Sequence, residues 1–318
     1  MKKIGLLLVM AMSVTAVAQE AVSIASQEAP QGTLPTTVSF PTERVQTPTY
    51  ADLYCSGFLS PKELPDASFV AGGLQTPTTT KFVNGDMVYL AGGGYQTGQE
   101  YTIVRELRDV NEYQIFAGQR ALIKATGRPY GEEARVRIVD TRSKMAIAQI
   151  EFSCDPVNPG DFAVPFVEKQ TVAFHPQIRF DRFLPHDHQV NGRILMAKDF
   201  DSELGTGLKV YMNVGSNQGV KVGDYFRAVR SYTADLHDPV DSLSFKASTS
   251  EDTQKKPPSI EPNFFNKTSG AKIHVADLPR RSVGEIVIIG TTPTTSTGMI
   301  VFALEDVHLG DDVELDPQ

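Results

Sequence analysis

The chain has 318 residues, 30 of them basic and 38 acidic, with a formal net charge of −8 at pH 7. An acidic balance spread along the chain argues against nucleic-acid binding, which depends on clustered Lys and Arg. There is no Trp, which weakly disfavours an aromatic groove for sugars, and the length allows one large or two moderate domains.

The N-terminus has the three parts of a secretory signal peptide. Lys2 and Lys3 form a positive segment, an apolar run extends from Ile4 to Met12, and residues 16–18 give the small-x-small pattern of a cleavage site. The alternative is a short membrane anchor, but the run is shorter than the ~20 residues that a span needs. We predict cleavage after Ala18 and a periplasmic or outer-membrane-associated protein without an integral membrane span.

Composition divides the rest of the chain. Residues 19–50 are rich in Thr, Pro, Gln and Ser, which predicts a flexible tether. Residues 232–282 are similarly polar and predict a disordered or loosely looped insertion. The predicted domains are a first β-barrel over residues 51–168, a linker over 169–188, and a second β-barrel over 189–318 that contains the insertion.

The only cysteines are Cys55 and Cys154. Two thiols in an exported protein usually pair, because the compartment is oxidising. We predict a Cys55–Cys154 disulfide that closes a loop of about 100 residues, which is worth ~4–5 kcal/mol in the chain-entropy model. The alternatives are a Cys nucleophile, which has no His at a recognisable spacing, and a metal site, which needs more ligands.

From Asp86 onward the chain consists of short β-type runs separated by glycine. In ARVRIVD, residues 134–140, apolar and charged residues alternate, as in a strand with one face on a core. A second episode of the same kind begins near residue 187. The runs predicted as strands are 87–90, 101–104, 121–125, 134–139, 145–152, 189–197, 208–212, 284–289, 298–304 and 311–315.

The two episodes resemble each other. Each has Val-Tyr on a strand, a glycine-rich connection, and then the spacing Gly-x-x-aromatic-x-x-Val-Arg. Further on, each has a Val/Ile-rich strand, a Ser/Thr cluster before a methionine, and a Gly-Asp pair before a last strand. Five short strands per copy predict a mostly β protein with two tandem half-open, SH3-like barrels. The matched positions are Gly98, Tyr101, Val104 and Arg105 in the first copy, and Gly223, Phe226, Val229 and Arg230 in the second.

The second copy, over roughly residues 190–315, resembles the C-terminal domain of the flagellar assembly protein T family. That resemblance implies a small exported barrel that belongs to a periplasmic ring component in the family. The chain lacks an obvious counterpart of the family's other domains, so a flagellar role does not carry over. The residues that carry the resemblance are Gly192-Arg193-Ile194, Val210-Tyr211-Met212-Asn213, Gly215, Gly219-Val220, Gly223-Asp224-Tyr225-Phe226, Gly284-Glu285-Ile286-Val287 and Gly310-Asp311.

The stretch GGGYQTGQE, residues 92–100, invites a phosphate-loop interpretation, because Gly93 and Gly98 stand five apart. A phosphate loop needs a lysine after its second conserved glycine, and this chain has Gln99 and Glu100 there. A carboxylate would repel a phosphate. We predict a turn that uses glycine for its backbone, and no nucleotide or other cofactor.

The densest set of metal-ligand side chains is His186-Asp187-His188. On a strand the two histidines would share a face, but a third ligand would have to come from afar, such as His175 or Asp181. Pro185 and the flanking charges favour an exposed linker, so we predict no metal site, with zinc as the alternative.

The sequence has no Gly-x-Ser-x-Gly elbow, no His-Glu-x-x-His helix and no Ser-x-x-Lys motif with its partners. The carboxylate pairs Asp199/Asp201 and Asp311/Asp312 lie beside turns and are predicted to be solvated. We expect Arg105 and Arg230 to pair with acidic residues near the Gly-Asp turns, with a binding role as the alternative.

The sequence therefore predicts an exported, non-enzymatic protein of the cell envelope that acts as a structural or protein-interaction module. Its expected partners are other envelope proteins. A module that binds peptidoglycan or another envelope polymer is the main alternative, and an enzyme is third.

Overall fold

The computed structural model describes residues 47–109, 114–173, 180–183, 185, 190–231, 259–261, 272–274 and 279–316. These residues belong to one compact unit, residues 43–318. No helix within the described residues has the length and apolar character that a membrane crossing requires. The predicted tether is described only from residue 47, and its last residue, Tyr50, begins a helix.

The described residues of the first half of the chain form two helices and seven strands. Helix α1 begins after Thr49, which forms a reciprocal capping box with Asp52. The elements are α1 (Tyr50–Tyr54), β1 (Phe58–Ser60), β2 (Phe69–Gly73), β3 (Met87–Ala91), β4 (Glu100–Glu106), α2 (Gln119–Thr126), β5 (Arg128–Asp140), β6 (Ala146–Ser153) and β7 (Phe162–Pro165).

The second half is described as ten strands and one short 3₁₀ helix, Ser216–Gln218. The strands are β8 (Asn191–Ala197), β9 (Glu203–Leu204), β10 (Lys209–Met212), β11 (Tyr225–Arg230), β12 (Ser259–Glu261), β13 (Lys272–His274), β14 (Arg281–Thr291), β15 (Ser296–Ala303), β16 (Val307–His308) and β17 (Asp312–Leu315).

Two closed antiparallel barrels of six strands confirm the predicted tandem-barrel fold. The first barrel runs β5-β4-β7-β2-β3-β6 and closes through the β5–β6 pairing, with β1 added to β5. The second runs β14-β11-β17-β8-β10-β15. Each barrel has one strand more than the five expected per copy, β2 in the first and β8 in the second, and that strand completes the ring.

The two barrels repeat each other strand by strand. Tyr101 on β4 pairs with Val136 on β5, and Phe226 on β11 pairs with Ile286 on β14. The irregularity in β4 between Ile103 and Val104 recurs in β11 between Ala228 and Val229. The two barrels therefore have the same pairings at matching positions.

Residues 121–125, predicted as a strand, lie instead in helix α2. The buried or half-buried side chains of α2 are Gln119, Leu122, Ile123 and Thr126, which recur at helical spacing along one face. Ala, Leu, Lys and Gln also favour helices over strands. The short apolar run around Leu122 suits either structure, and the prediction was wrong because it overlooked this period.

Both barrels are filled by apolar side chains. The interior of the first is formed by residues such as Val88, Ile103 and Val136, and that of the second by residues such as Val210, Phe226 and Ile286. Strands β14 and β15 are buried on both faces along most of their length, because other parts of the chain cover their outer side.

Candidate functional site

Equivalent arginines hold the last turn of each barrel. The guanidinium of Arg105 donates two hydrogen bonds to Asp161, of 2.8 and 2.7 Å, and one to Pro156 O. Arg230 donates two to Asp311, of 3.0 and 2.9 Å, and one to Asp306 O. Both aspartates belong to the Gly-Asp pairs identified in the sequence. The arginines thus join the end of β4 or β11 to the turn before β7 or β17, which is a structural role.

The first barrel adds a carboxylate to this arrangement. Glu133 is 3% exposed, and its Oε2 lies 3.1 Å from Nη1 of Arg105. Burial raises the pKa of Glu133 to about 7, although the nearby Arg105 opposes the shift. Cys154 N donates to Glu133 O, and Leu304 N donates to Val283 O at the matching place in the second barrel. The second copy therefore has an apolar residue where the first has a buried acid.

The two pairs differ in how much solvent reaches them, which gives a testable difference. Arg230 and Asp311 have side-chain exposures of 8% and 6%, whereas that of Arg105 is 30%. We expect Asp311→Asn to lower the free energy of unfolding by about 3 kcal/mol, because it removes the carboxylate that accepts two hydrogen bonds from a buried guanidinium. Asp161→Asn should cost about 1–2 kcal/mol, because Arg105 is partly solvated and keeps Glu133. Urea unfolding of both variants measures the difference, and a larger loss for Asp161→Asn would contradict it.

A segment of the first half of the chain lies against the outer face of the second barrel. We call residues 53–60 the wedge segment. Its backbone carbonyls accept side-chain hydrogen bonds from the second barrel: Tyr211 to Ser56 O at 2.9 Å, Thr297 to Gly57 O at 3.0 Å, and Thr295 to Leu59 O at 3.0 Å. Every one of these side chains is buried, so the contact belongs to the core of the molecule.

Apolar packing completes the contact of the wedge segment with the second barrel. Leu59 packs in a cluster with Leu195, Met196 and Tyr211. Leu53 packs with side chains on the outer face of β14 and β15, including Val287 and Met299. These contacts explain why β14 and β15 are buried on both faces.

The other side of the wedge segment is fixed to the first barrel. Glu132 on β5 accepts hydrogen bonds from Gly57 N at 3.1 Å and from Lys169 Nζ at 2.6 Å. The predicted disulfide is confirmed, with Cys55 bonded to Cys154. The wedge segment therefore joins the two barrels into one body.

Helix α2 makes a second connection between the two halves. Gln119 is buried, accepts a hydrogen bond from Ile115 N and donates one to Leu195 O on β8, both at 2.8 Å. A cavity of about 560 Å³ lies beside this connection, with walls that include Ile123, Met196 and Phe200. Both halves contribute to the walls, so the cavity depends on their packing.

The glycine-rich stretch of residues 92–100 is the connection between β3 and β4. Gly98 has φ 87°, in the left-handed region that glycine adopts without strain, and its N–H donates to Ile138 O at 2.8 Å. Gly223, with φ 95°, makes the same hydrogen bond to Ile288 O at 2.8 Å. The matched glycines thus serve the turns of the two barrels.

Only one of the candidate metal ligands, Asp181, lies in the part of the chain that the structure describes. His175, His186, Asp187 and His188 lie outside the described residues. Elsewhere, the described parts of the chain hold no group of three or more His, Cys, Asp or Glu side chains that could bind a metal ion.

Among the described residues, the outer face of the first barrel that corresponds to the wedge contact is left open. It is formed by β2, β3, β6 and the end of β5, and its side chains are half-buried or exposed. Phe69, Val139 and Met145 are each 38–39% exposed. We call this surface the open face; its residues are Phe69, Tyr89, Val139, Met145 and Ile147.

Sequence reasoning did not find the wedge segment or the open face. One sequence feature relates to both surfaces, the Val-Tyr pair that each copy contains. Its tyrosines, Tyr89 and Tyr211, occupy corresponding positions on the outer faces of the two barrels. The geometry defines two barrels with matching strands that the wedge segment holds together. No family model matches the chain, and no curated protein matches it.

Proposed function

We propose that the chain is an exported, non-enzymatic protein of the bacterial cell envelope that acts as a protein-interaction scaffold. The observation that carries the proposal is an apolar open face on a body whose parts are held together by the wedge segment and the disulfide. Exposed apolar patches on an outer surface are typical of protein contacts.

Two further features support the proposal. The signal sequence and the disulfide both suit an oxidising compartment outside the cytoplasm. The resemblance of the second barrel to a domain of a periplasmic ring component suits a structural role. A flagellar role is not part of the proposal, because the resemblance covers turn glycines and core positions.

A photo-crosslinking residue placed on the open face tests the proposal in living cells. We expect crosslinks to protein from position Ile147 and none from position Val167, which is also apolar but lies beyond β7, outside the open face. A companion assay adds the purified mature protein to cell-wall sacculi that have been stripped of protein. Retention on the bare sacculi, without crosslinks at position 147, would favour polymer binding and contradict the scaffold.

A further inference from the structure

Strand β5 has one extra residue opposite β4, and that residue is Glu133. Ile103 and Val104, which are neighbours on β4, pair with residues 134 and 132 of β5, so Glu133 has no partner on β4. The extra residue at the matching place in β14 is Val283. A bulge of this kind re-aims its side chain. Val283 packs in the apolar interior of the second barrel, whereas the first barrel has a carboxyl group at this position.

The surroundings of Glu133 favour its uncharged form. The residue is 3% exposed, and none of the described residues donates a hydrogen bond to its Oε2 atom. Nη1 of Arg105 lies 3.1 Å from this oxygen without the alignment of a hydrogen bond. An ionised carboxylate is costly to bury when it lacks hydrogen-bond donors. Burial accordingly raises the pKa of Glu133 to about 7, with Arg105 opposing the shift.

Two cations and two carboxylates face Glu133 from other elements of the described chain. They are Arg105 on β4, Asp155 after β6, Asp161 before β7 and Lys198 after β8. Lys198 is already paired with Asp155, at 3.7 Å. The hydroxyl of Tyr211 on β10 also faces Glu133, and burial keeps it neutral by raising its pKa. Arg105 is therefore the cation that an ionised Glu133 reaches most directly.

Arg105 already holds a turn of the first barrel. Its hydrogen bonds to Asp161 and to Pro156 O fix residues 156–161, which we call the first-barrel turn. An ionised Glu133 would compete with Asp161 for the same guanidinium, whereas a protonated Glu133 would not. Arg230 holds the matching residues 306–311, the second-barrel turn, in the same way. The apolar residue at the bulge of that barrel offers no competition.

The first-barrel turn lies where its barrel closes between β2 and β7. Among the described residues, these strands pair at one position, Phe69 with Phe162, whereas β8 and β17 pair at three. The turn adds two backbone hydrogen bonds beside that pair: Val70 N donates to Asp161 O and Gly160 N donates to Val70 O, both at 2.8 Å. The closure between β2 and β7 therefore depends on the turn, and the turn depends on Arg105.

We propose that Glu133 is a proton-sensitive switch of the first barrel: when it loses its proton it draws Arg105 away from Asp161, and the first-barrel turn and β7 separate from β2 more readily. The closed barrel binds the proton of Glu133 more tightly than an opened one in which the carboxyl group is solvated. The closed form is therefore favoured in acid, and this advantage is lost as the pH rises through about 7. The switch does not depend on the proposed scaffold role.

Hydrogen exchange of single amides in the oxidised protein, measured at about pH 6 and about pH 8.5, tests the proposal. The opening constant is the exchange rate divided by the intrinsic rate at the same pH. For the amides of Val70 and Gly160 it should rise about tenfold, because the pKa of Glu133 falls from about 7 to its ordinary value when the barrel opens. Ile194 N and Gly310 N form the equivalent hydrogen bonds in the second barrel, and their opening constants should change by less than about twofold.

Three variants separate Glu133 from other sources of pH dependence. Glu133→Gln should remove the pH response of the two first-barrel amides. Glu133→Val, which copies the bulge residue of the second barrel, should do the same and serves where Glu133→Gln does not fold. Glu285→Gln is the matched control, because burial also raises the pKa of Glu285 to about 7, but this residue lies in the second barrel near Arg227 and Asp316. It should leave the response of the first-barrel amides in place.

Each measurement can overturn the proposal. First-barrel amides whose opening constants do not change with pH would do so, as would a response that survives in the Glu133 variants. An equal response at Ile194 and Gly310 would show that the effect is not specific to the first barrel. Carbon-13 NMR of the unaltered protein follows the Glu133 carboxyl group directly, and titration in the ordinary range of a glutamate, near pH ~4, would also overturn the proposal.

Discussion

Gly57→Ala is expected to lower the free energy of unfolding by about 4 kcal/mol, from backbone strain combined with two steric conflicts. Gly57 has φ +69°, a left-handed conformation that an alanine adopts only at a cost. A Cβ on Gly57 would lie 2.4 Å from the Tyr211 hydroxyl oxygen and 2.5 Å from Tyr130 O. One conflict is with each barrel, so the wedge segment cannot move away from both.

Gly85→Ala separates the two causes. Gly85 also has a positive φ, of +91°, but a Cβ there has no heavy atom within 4 Å. Its variant should lose about 1 kcal/mol, from backbone strain alone. Urea denaturation followed by circular dichroism gives both values. Equal losses for the two variants would mean that the contact of the wedge segment with the two barrels contributes little to stability.

The barrel strands could be predicted because their signals are local. Turn glycines, alternating side chains and the Gly-Asp pairs recur at fixed spacings in both copies, and each reports on a few neighbouring residues. The pairing of Arg105 and Arg230 with the Gly-Asp turns followed from the same repeat. Agreement between the copies supplied the check that one copy alone would have lacked.

The features that were missed depend on distant parts of the chain. Helix α2 was taken for a strand because its helical period was overlooked in a short apolar run, and the packing of Leu122 and Ile123 against the second barrel, which the local sequence does not reveal, could not correct the prediction. The wedge segment is even harder to predict from the sequence. Ser56 and Gly57 belong to no periodic pattern of apolar residues, and the hydrogen bonds that their carbonyls accept from Tyr211 and Thr297 join residues more than 150 positions apart.

Removing the disulfide should have the largest effect of any change considered for this protein. Cys55 and Cys154 are 99 positions apart, and cross-linking a loop of that length restricts the unfolded chain by an amount worth ~4–5 kcal/mol. The double variant Cys55→Ala/Cys154→Ala should lose about that much in free energy of unfolding. The loss arises in the unfolded state, so the folded spectrum of the variant should match that of the oxidised protein.

A reductant should lower the stability of the unaltered protein towards that of the variant and leave the variant unchanged. A loss below about 1 kcal/mol would contradict the chain-entropy account. It would then be the hydrogen bonds of Glu132 and Tyr211 to the wedge segment that hold the two barrels together.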